Sequence, residues 1–446
     1  MKIRTCIKRG LFLTLAVGFL LTGKELTVKA ADKVEVSAQV FKDKKVLNEV
    51  KKFDKNQDGY LDGEEIASIT SIGIYESVSD LSGLEYLENL ESVHLIYSGK
   101  SIQLGDNVKD VWIDTNTKSI NINASGVEKM KLYTYWGSSG AKKCEKVDVS
   151  KCTELKDLYV GTYGTTSIQF PKNGGDIEKL SISGSDYTVL KMPIAKKLTS
   201  FTVYGNHQLT TLDTQNIPNL EILYVEQNDK LCDLNIKRNY NLKKLVCSNN
   251  KISKLDVSGN SKLEFLSCPY NQLTSLDCSK NRKLTALQCY ENKISSLNLK
   301  KTTALQNIYC ESNKLKSLDL SQNIKLDTVS CYNNPLDNLY IKGKENAIKK
   351  VKITPVIASA KAYIDTDEDR RGIVVNIKEN KKIKSYVVIV SAGGDWFFKK
   401  TQEDLKFDFD NTGCSRFSIK AVSGVEYKGV VVYAQEVTYK KKVIVK

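Results

Sequence analysis

Five cysteines recur at a constant interval and constrain what this chain can fold into. From Cys247 to Cys331 a cysteine stands at every twenty-first position. Catalytic or metal-binding cysteines do not repeat in this way, whereas a structural repeat does. A period of about 20 to 29 residues is typical of leucine-rich solenoids, in which each turn stacks on the next. The chain is therefore predicted to be a scaffold whose function lies on an exposed surface.

The regular unit is L-x-x-L-x-C-x-x-N-x-L, and a second short motif, LD-x-S, separates the copies. The L-x-C triplet predicts a short strand whose alternate residues point into the core. The Asn lies where the chain leaves the strand, where a buried Asn can bond the backbone of adjacent turns. So short a repeat leaves no room for a long convex helix, and short extended or 3₁₀ segments are expected there. Weaker copies upstream and one at residues 351–353 extend the predicted strands over residues 93–353.

The first 30 residues have the pattern of a secretory signal peptide. A basic start precedes an apolar run, and small residues at positions 28 and 30 suit cleavage. The apolar run is shorter than the about 20 residues that span a bilayer, which disfavours a membrane anchor. The chain carries a formal charge of +15, and removal of residues 1–30 leaves about +10. With no LPxTG signal and no second apolar span, secretion is predicted, and any cell-wall association would be non-covalent.

Residues 54–65, DKNQDGYLDGEE, fit the EF-hand pattern D-x-[DN]-x-[DN]-G-x5-E. Alternating acidic and amide residues supply the oxygen ligands that Ca²⁺ requires. Apolar residues with helical spacing flank the loop, so a small helical EF-hand-like cap is predicted over residues 31–71. A solvated acidic turn is the alternative, and a single loop is expected to bind weakly and to brace the cap. The predicted Ca²⁺ ligands are Asp54, Asn56, Asp58, the Tyr60 carbonyl, Asp62 and Glu65. Leu81, Leu84, Leu87 and Leu90 are predicted to continue the helical cap.

Ten cysteines remain after residue 30, which in a secreted chain suggests disulfides. The repeat geometry argues against them in the ladder. Stacked strands lie about 4.8 Å apart with parallel Cβ vectors, whereas a disulfide needs converging Cβ atoms about 3.8 Å apart. The ladder cysteines and Cys278 are therefore predicted to be small buried hydrophobic residues. A bridge between Cys144 and Cys152 stays open.

The repeat resembles that of bacterial secreted leucine-rich repeat proteins of the internalin type. It is most similar to the subgroup in which cysteine replaces a strand leucine and stacks as a ladder. The stronger match covers about residues 198–353, and a looser one starts near residue 72. The resemblance implies a curved parallel sheet whose concave face binds a protein, without identifying that protein.

Aromatic residues recur beside the inward-facing pairs of the predicted strands. Tyrosine offers a large contact area and a hydroxyl at small entropic cost, and aromatics are enriched at interfaces. Selection for β propensity is the alternative explanation, and a glycan is the alternative ligand because sugar rings stack on aromatics. The candidate ligand-binding residues are Trp112, Tyr133, Tyr135, Tyr159, Tyr204, Tyr224, Phe265, Tyr290, Tyr309 and Tyr332.

After residue 353 the repeat stops and short alternating strands follow. They are predicted at Ile357–Ile364, Ile373–Ile377, Tyr386–Val390, Trp396–Lys399, Leu405–Phe409, Phe417–Ala421, Val430–Tyr433 and Val437–Val445. They predict an Ig-like or fibronectin-III-like β-sandwich over residues 354–446. Residues 340–446 carry 22 Lys/Arg against 13 Asp/Glu, which would favour anionic wall polymers, and a solvated spacer is the alternative. The predicted fold class is α+β, mostly β, with a leucine-rich-repeat solenoid over residues 72–353 between cap and sandwich.

The sequence predicts a binding protein rather than an enzyme. It contains two histidines and neither a nucleophile elbow nor an HExxH motif. The predicted function is secreted, non-enzymatic binding of an extracellular protein by a monomer, without nucleic acid. A glycan-binding or accessory component of an extracellular or cell-wall enzyme complex is the alternative.

Overall fold

The computed structural model describes residues 33–134, 140 and 142–341, and beyond these the backbone of seven strand segments between residues 347 and 442. The predicted signal peptide, Tyr135 and the predicted strand at residues 351–353 lie outside the described residues. Within the described residues, no helix is both long enough and apolar enough to cross a membrane.

A small unit precedes the repeats. The strand Lys33–Glu35 pairs antiparallel with the strand Tyr60–Asp62, and two short helices, Lys44–Val50 and Gly63–Ser68, flank the acidic loop. A 3₁₀ turn, Lys51–Phe53, follows the first helix. Apolar residues at helical spacing, with Val46 and Val50 fully buried, explain why the first helix forms and which face it packs inward.

The centre of the molecule is a solenoid whose concave face, within the described residues, is a parallel sheet of thirteen strands. The repeat predicted this parallel stacking, but the sheet begins at Ser71, before the first predicted strand at residue 93. Leu245 is fully buried in its strand, as is Cys247 directly after it, while the residues between and beside them line the concave side. The strands are Ser71–Val78, Ser92–Tyr97, Asp110–Thr115, Lys129–Thr134, Asp157–Gly161, Lys179–Ser183, Ser200–Tyr204, Ile222–Glu226, Lys244–Val246, Phe265–Ser267, Ala286–Gln288, Asn307–Tyr309 and Thr328–Ser330.

The opposite face carries only short segments, which confirms the expectation from the repeat length. They form four small parallel groups and two isolated 3₁₀ turns, Leu84–Tyr86 and Lys172–Gly174. The strands are Ser101–Gln103, Ser119–Asn123, Lys146–Asp148, Ser167–Gln169, Val189–Lys191, Thr211–Asp213, Asp233–Asn235, Ser275–Asp277, Ser296–Asn298, Ser317–Leu320 and Asn338–Ile341.

The four leucines assigned to a continuation of the cap helix do not form one. The first strand of the parallel sheet, Ser71–Val78, comes before them, and they lie in the turn that follows it. Three N–H groups donate to carbonyls three residues earlier: Leu84 to Leu81, Leu87 to Leu84 and Leu90 to Leu87. A period of three residues matches 3₁₀ geometry rather than the 3.6 of an α-helix, so the leucines pack as tight turns.

The conserved spacing of the repeat builds two ladders inside the solenoid. Asn271 shows how the first works: its Oδ1 accepts from the Ile252 N–H at 3.0 Å, and its Nδ2 donates to the Cys247 carbonyl at 2.8 Å. Each repeat-motif Asn from 250 to 334 donates in the same way to a carbonyl of the previous turn. The Asn ladder therefore satisfies backbone groups that the short strands leave without partners.

The five ladder cysteines and Cys278 are fully buried free thiols, as predicted. Cys144 and Cys152 are also buried and free, so the structure contains no bridge between them. Desolvation raises the pKa of each of these two thiols to about 11. Both donate weakly to backbone carbonyls, Cys144 to Lys146 and Cys152 to Ile122.

Beyond the solenoid, the described strand segments overlap the predicted ones, and the strand predicted at residues 405–409 lies outside the described residues. Val356–Asp365 pairs with Arg370–Lys378, and Ser385–Ala392 pairs with both Asp395–Thr401 and Arg416–Tyr427, all antiparallel. The two strands predicted from residues 430 and 437 form a single strand, Val430–Lys442. Its start runs parallel to the last concave strand, with Val432 in register with Val329. A preceding segment, Ala347–Ile348, pairs with Asn338–Ile341. The β-sandwich itself stays a prediction.

Candidate functional site

The acidic loop is held in a tight turn by hydrogen bonds between its side chains and its own backbone. The Asp54 carboxylate accepts from the Asp58 N–H at 3.2 Å and from the Gly59 N–H at 3.0 Å. The Asn56 amide oxygen accepts from the Asp58 N–H at 2.9 Å. Gly59, at the sixth loop position, has a φ of 83°, which only glycine adopts readily. The side-chain oxygens of Asp54 and Asn56, the first two predicted ligands, therefore lie around a tight turn.

The end of the loop closes back on its beginning. Glu65 is almost fully buried, and its two carboxylate oxygens accept from the Lys55 N–H at 2.8 Å and the Asp62 N–H at 3.0 Å. Asp62 in turn accepts from the Glu65 N–H at 2.9 Å, which forms a capping box at the start of the helix Gly63–Ser68. Tyr60 lies in the short strand between these groups.

The oxygen donors of the loop suit Ca²⁺, but their side chains engage other groups in this structure. The Lys33 ammonium lies 3.1 Å from Asp58, and this pair lowers the pKa of Asp58. No three His, Cys, Asp or Glu side chains among the described residues stand close enough together to hold a metal ion. The loop fits Ca²⁺ in donor type, length and turn geometry, and binding would require Asp58 and Glu65 to turn towards the ion.

The first half of the concave face carries a ladder of five aromatic rings, one from each of five successive turns. Centroid distances are 5.0 Å for Tyr75–His94, 4.5 Å for His94–Trp112, 5.4 Å for Trp112–Tyr133 and 4.8 Å for Tyr133–Tyr159. Three of these pairs are stacked or tilted by 22° to 33°, and the Tyr75 pair is edge-on at 81°. The rings form one continuous aromatic surface, here named the ring ladder.

Charged groups border the ring ladder on both sides of Trp112. Its indole Nε1 donates to the Asp114 carboxylate at 3.4 Å, and the His94 Nε2 lies 3.5 Å from the same carboxylate. The Lys131 ammonium lies 4.9 Å from the Trp112 ring centroid, within cation–π range. Trp112 is 37% exposed, so a large hydrophobic side chain with fixed polar neighbours faces solvent at this point.

The second half of the face is built around a lysine and a cavity. The Lys244 Nζ lies 5.0 Å from the Tyr224 ring centroid and 5.3 Å from that of Phe265. A cavity of about 330 Å³ opens beside them, and its lining includes Glu226 and Tyr290. This cavity is here named the concave pocket.

The remaining predicted residues differ in accessibility. Tyr204 is 46% exposed, and its hydroxyl donates to the Gln227 side chain at 2.7 Å. Tyr309 is half-buried, and burial raises its pKa. Tyr332 is only 3% exposed, so its placement on an open surface was wrong: every residue from 328 to 332 is buried in the last turn. Tyr135 lies outside the described residues.

Sequence reasoning missed three aromatic residues that belong to these surfaces. Tyr75 was missed because no strand was predicted before residue 93, whereas the first strand of the sheet is Ser71–Val78. His94 was missed because only Tyr, Trp and Phe were considered at concave positions, although it occupies the position that Trp112 takes in the next strand. Tyr270 follows its ladder cysteine by two residues, outside the strand, with a left-handed φ of 53° that sequence alone does not indicate.

No family model matches this chain, and no curated protein is significantly similar to it. Solved structures share its architecture. The functional domain of InlJ from Listeria monocytogenes, described as including a cysteine ladder, is 17% identical with a TM-score of 0.50, and the match covers 94% of this chain and 100% of that domain. InlP from Listeria monocytogenes is 13% identical over 93% of this chain and 98% of its own, with a TM-score of 0.33. YopM, a leucine-rich effector from Yersinia pestis, is 19% identical over 66% of this chain and 94% of its own, with a TM-score of 0.40. The match to the InlJ domain supports the fold seen in the strand topology, a leucine-rich-repeat solenoid.

Proposed function

We propose that this chain is a secreted, non-enzymatic protein that binds an extracellular protein partner through the concave face of its solenoid. The observation that carries the proposal is the aromatic surface itself: the ring ladder in the first half and the concave pocket in the second. Both lie on one sheet of successive strands joined by backbone hydrogen bonds, so their rings are held in position before a partner arrives. Such preorganisation reduces the entropic cost of binding.

A protein partner suits the ring ladder better than a glycan does. Sugars bind aromatic residues by stacking on an open ring face. Within the ladder the ring faces of His94, Trp112 and Tyr133 are turned towards neighbouring rings at 4.5 to 5.4 Å. A ligand can therefore contact the edges of these rings and the charged groups of Asp114 and Lys131. Ring edges and mixed charges are typical of protein interfaces, where aromatic residues are the commonest hot spots.

The test is a binding screen of the mature chain against arrays of extracellular proteins and of glycans, followed by variants. We expect a protein ligand, and we expect Trp112→Ala with Tyr133→Ala, or Tyr224→Ala with Phe265→Ala and Tyr290→Ala, to weaken its binding at least about thirtyfold, as hot-spot residues do. The matched control is Tyr240→Ala, which removes an exposed ring outside the concave strands.

Retention of binding by both variant sets would move the site away from the concave face. Binding of glycans alone would favour the accessory role, and hydrolysis of any glycan or peptide by the pure chain would overturn the non-enzymatic assignment.

We further infer that the loop at residues 54–65 binds Ca²⁺ as a structural brace of the N-terminal unit. Its support is the complete motif, the left-handed Gly59 and the closure of the loop by Glu65. The ion would be held by Asp54, Asn56, Asp58, the Tyr60 carbonyl, Asp62 and Glu65, and would supply positive charge that ties both ends of the loop together. The strand Lys33–Glu35 pairs with this loop where a second EF-hand loop would otherwise pair.

Thermal unfolding with Ca²⁺ and with EGTA tests this inference. We expect Ca²⁺ to raise the melting temperature of the native chain and to leave that of Asp58→Ala unchanged. Lys33→Ala is the control, because it removes the only ion pair of Asp58 that the described residues contain and keeps every ligand oxygen. If the native chain and Lys33→Ala each melt at the same temperature in Ca²⁺ and in EGTA, Ca²⁺ binding by the loop does not stabilise the N-terminal unit.

A further inference from the structure

The concave pocket is walled by aromatic rings from neighbouring turns. Phe265, Tyr270 and Tyr290 line it, and the last two meet edge to face with centroids 5.5 Å apart and planes at 86°. Its volume of about 330 Å³ is near the lower end of the about 300–1,000 Å³ of ligand pockets. A pocket of that size accommodates one large side chain of a partner rather than a whole folded element.

Three carboxylates surround this ring pair. Glu226 lines the pocket, Glu291 follows Tyr290 directly, and the Glu291 N–H donates to the Glu311 carbonyl on the next turn at 3.1 Å. None of the three forms an ion pair with another described residue. Burial raises the pKa of Tyr290 to about 12, and Tyr270 and the three carboxylates add to the shift. The three acidic groups therefore add negative charge on this side of the pocket, although the chain as a whole carries +15.

Glu311 is the most buried of these three acidic groups and has no ion-pair partner among the described residues. Its side chain is only 2% exposed, and its Oε2 has no hydrogen-bond partner. A buried carboxylate without a cation is costly, and a positive charge brought close to it offsets part of that cost. The residues on either side in this column of the solenoid are aromatic, Tyr290 and Tyr332, and neither can supply that charge.

Lys244 is the one ammonium group among the pocket-lining residues, and it does not neutralise these carboxylates. It lies over the Tyr224 and Phe265 rings and makes no ion pair with Glu226. Its position shows that this wall already accepts a cation against aromatic faces. The Tyr270 and Tyr290 side of the pocket has the same ring chemistry, additional carboxylates and no resident cation.

We propose that the concave pocket binds a positively charged side chain of the partner, an arginine or a lysine, against Tyr270 and Tyr290 and beside the Glu226 carboxylate. The aromatic walls contact the aliphatic part of that side chain and the cation, and the carboxylates supply the opposite charge. This inference rests on the proposed function, because it takes the concave face as the binding face, and it states what chemistry the partner must present there.

The experiment uses small probes that need no known partner. N-acetyl-arginine amide, its neutral isostere N-acetyl-citrulline amide, and N-acetyl-glutamate amide are titrated against the mature chain by ligand-observed NMR. We expect saturable binding of the arginine probe and binding of the citrulline probe at least about fivefold weaker, the low end of a cation–π contribution of about 1–2 kcal/mol. Glu226→Gln and Tyr290→Leu should each weaken the arginine probe about fivefold to thirtyfold.

Two matched variants control for indirect effects. Glu264→Gln removes an exposed carboxylate next to Phe265 that does not line the pocket, and Tyr240→Leu removes an exposed ring elsewhere. Neither should change binding of the arginine probe. Glu226→Gln alters only a partly exposed side chain, so it keeps the test valid if Tyr290→Leu fails to fold.

Three results would overturn the inference: no saturable binding of the arginine probe, equal binding of the citrulline probe, or preferential binding of the glutamate probe. These outcomes are separable from failure of the proposed function. If a protein partner loses affinity through the ring-ladder variants while the arginine probe does not bind, the binding face stands and only the pocket inference falls.

Discussion

Replacing one Asn of the ladder should test how the solenoid holds its turns together. In Asn271→Ala the Ile252 N–H loses the Asn271 Oδ1, its only hydrogen-bond partner in the structure. The Cys247 carbonyl also loses the Asn271 Nδ2 but keeps a bond from the Asn250 Nδ2 at 3.0 Å. An orphaned buried N–H costs about 1–3 kcal/mol, and each lost bond whose partner keeps another costs about 1 kcal/mol. We therefore expect a loss of about 3 kcal/mol in the free energy of unfolding.

Urea unfolding of the mature chain, followed by circular dichroism, measures this loss. Asn241→Ala is the control. The partly exposed Asn241 amide makes two bonds of 3.3 Å and accepts one from the Lys262 ammonium at 2.7 Å, all at the surface, so its loss should cost less than about 1 kcal/mol. Asn271→Asp gives a second test. It keeps an acceptor for Ile252 but turns an oxygen towards carbonyls, so its penalty should shrink as the pH falls and the new carboxyl is protonated. An Asn271→Ala loss below about 1 kcal/mol would refute the ladder argument.

Three further predictions concern single residues. Iodoacetamide should modify exposed Cys232 in the native chain but not the ladder cysteines, because desolvation raises the pKa of the ladder thiols. Peptide mapping before and after unfolding measures this, and modification of a ladder cysteine in the native chain would contradict it. Burial raises the pKa of Glu311 to about 7 from an ordinary value of 4.5, so the Glu311 carboxyl stays protonated to a higher pH in the folded chain than in the unfolded chain. The folded chain therefore loses up to about 3 kcal/mol of stability as the pH rises from 4.5 through 7. Glu311→Gln should therefore be more stable than the native chain at pH 8 and show no advantage at pH 4, by urea titration at both values. Gly126→Ala would place a methyl carbon 1.9 Å from the Asp106 carbonyl oxygen and should cost at least about 2 kcal/mol, whereas Gly105→Ala, which meets nothing within 4 Å, should be tolerated; equal melting temperatures for the two variants would contradict the packing argument.

The repeat spacing was enough to predict the core of the solenoid. Leucine and cysteine at alternate strand positions point to the same face of a strand, and their constant twenty-one-residue period indicates that successive strands stack in parallel, as the buried Leu245 and Cys247 illustrate. The same spacing predicted the short convex segments and the role of the motif Asn. It failed at the N-terminal end, where Ser71–Val78 lacks the cysteine and Asn of the regular unit and was not predicted as a strand.

The candidate sites could be predicted only in outline. Alternation along each strand identified Trp112, Tyr133 and Tyr159 as concave residues. Their contacts with one another depend on side-chain directions across strands, which the sequence does not encode locally. The concave pocket was not predicted, because Tyr270 enters it from a turn residue with a positive φ and Glu226 contributes from two turns away.

The sequence by itself determined the solenoid, since a strict period of buried leucine, cysteine and asparagine leaves a stacked parallel sheet as the arrangement that satisfies both apolar burial and backbone hydrogen bonding. Tertiary structure alone decided which side chains meet on the concave face. Rings separated by about 20 residues in sequence become neighbours at 4.5 to 5.5 Å, while the last turn is buried and Tyr332 with it. The physical reason is that periodicity sets the direction of each side chain from its own strand, whereas contact, exposure and charge balance depend on the neighbouring turns.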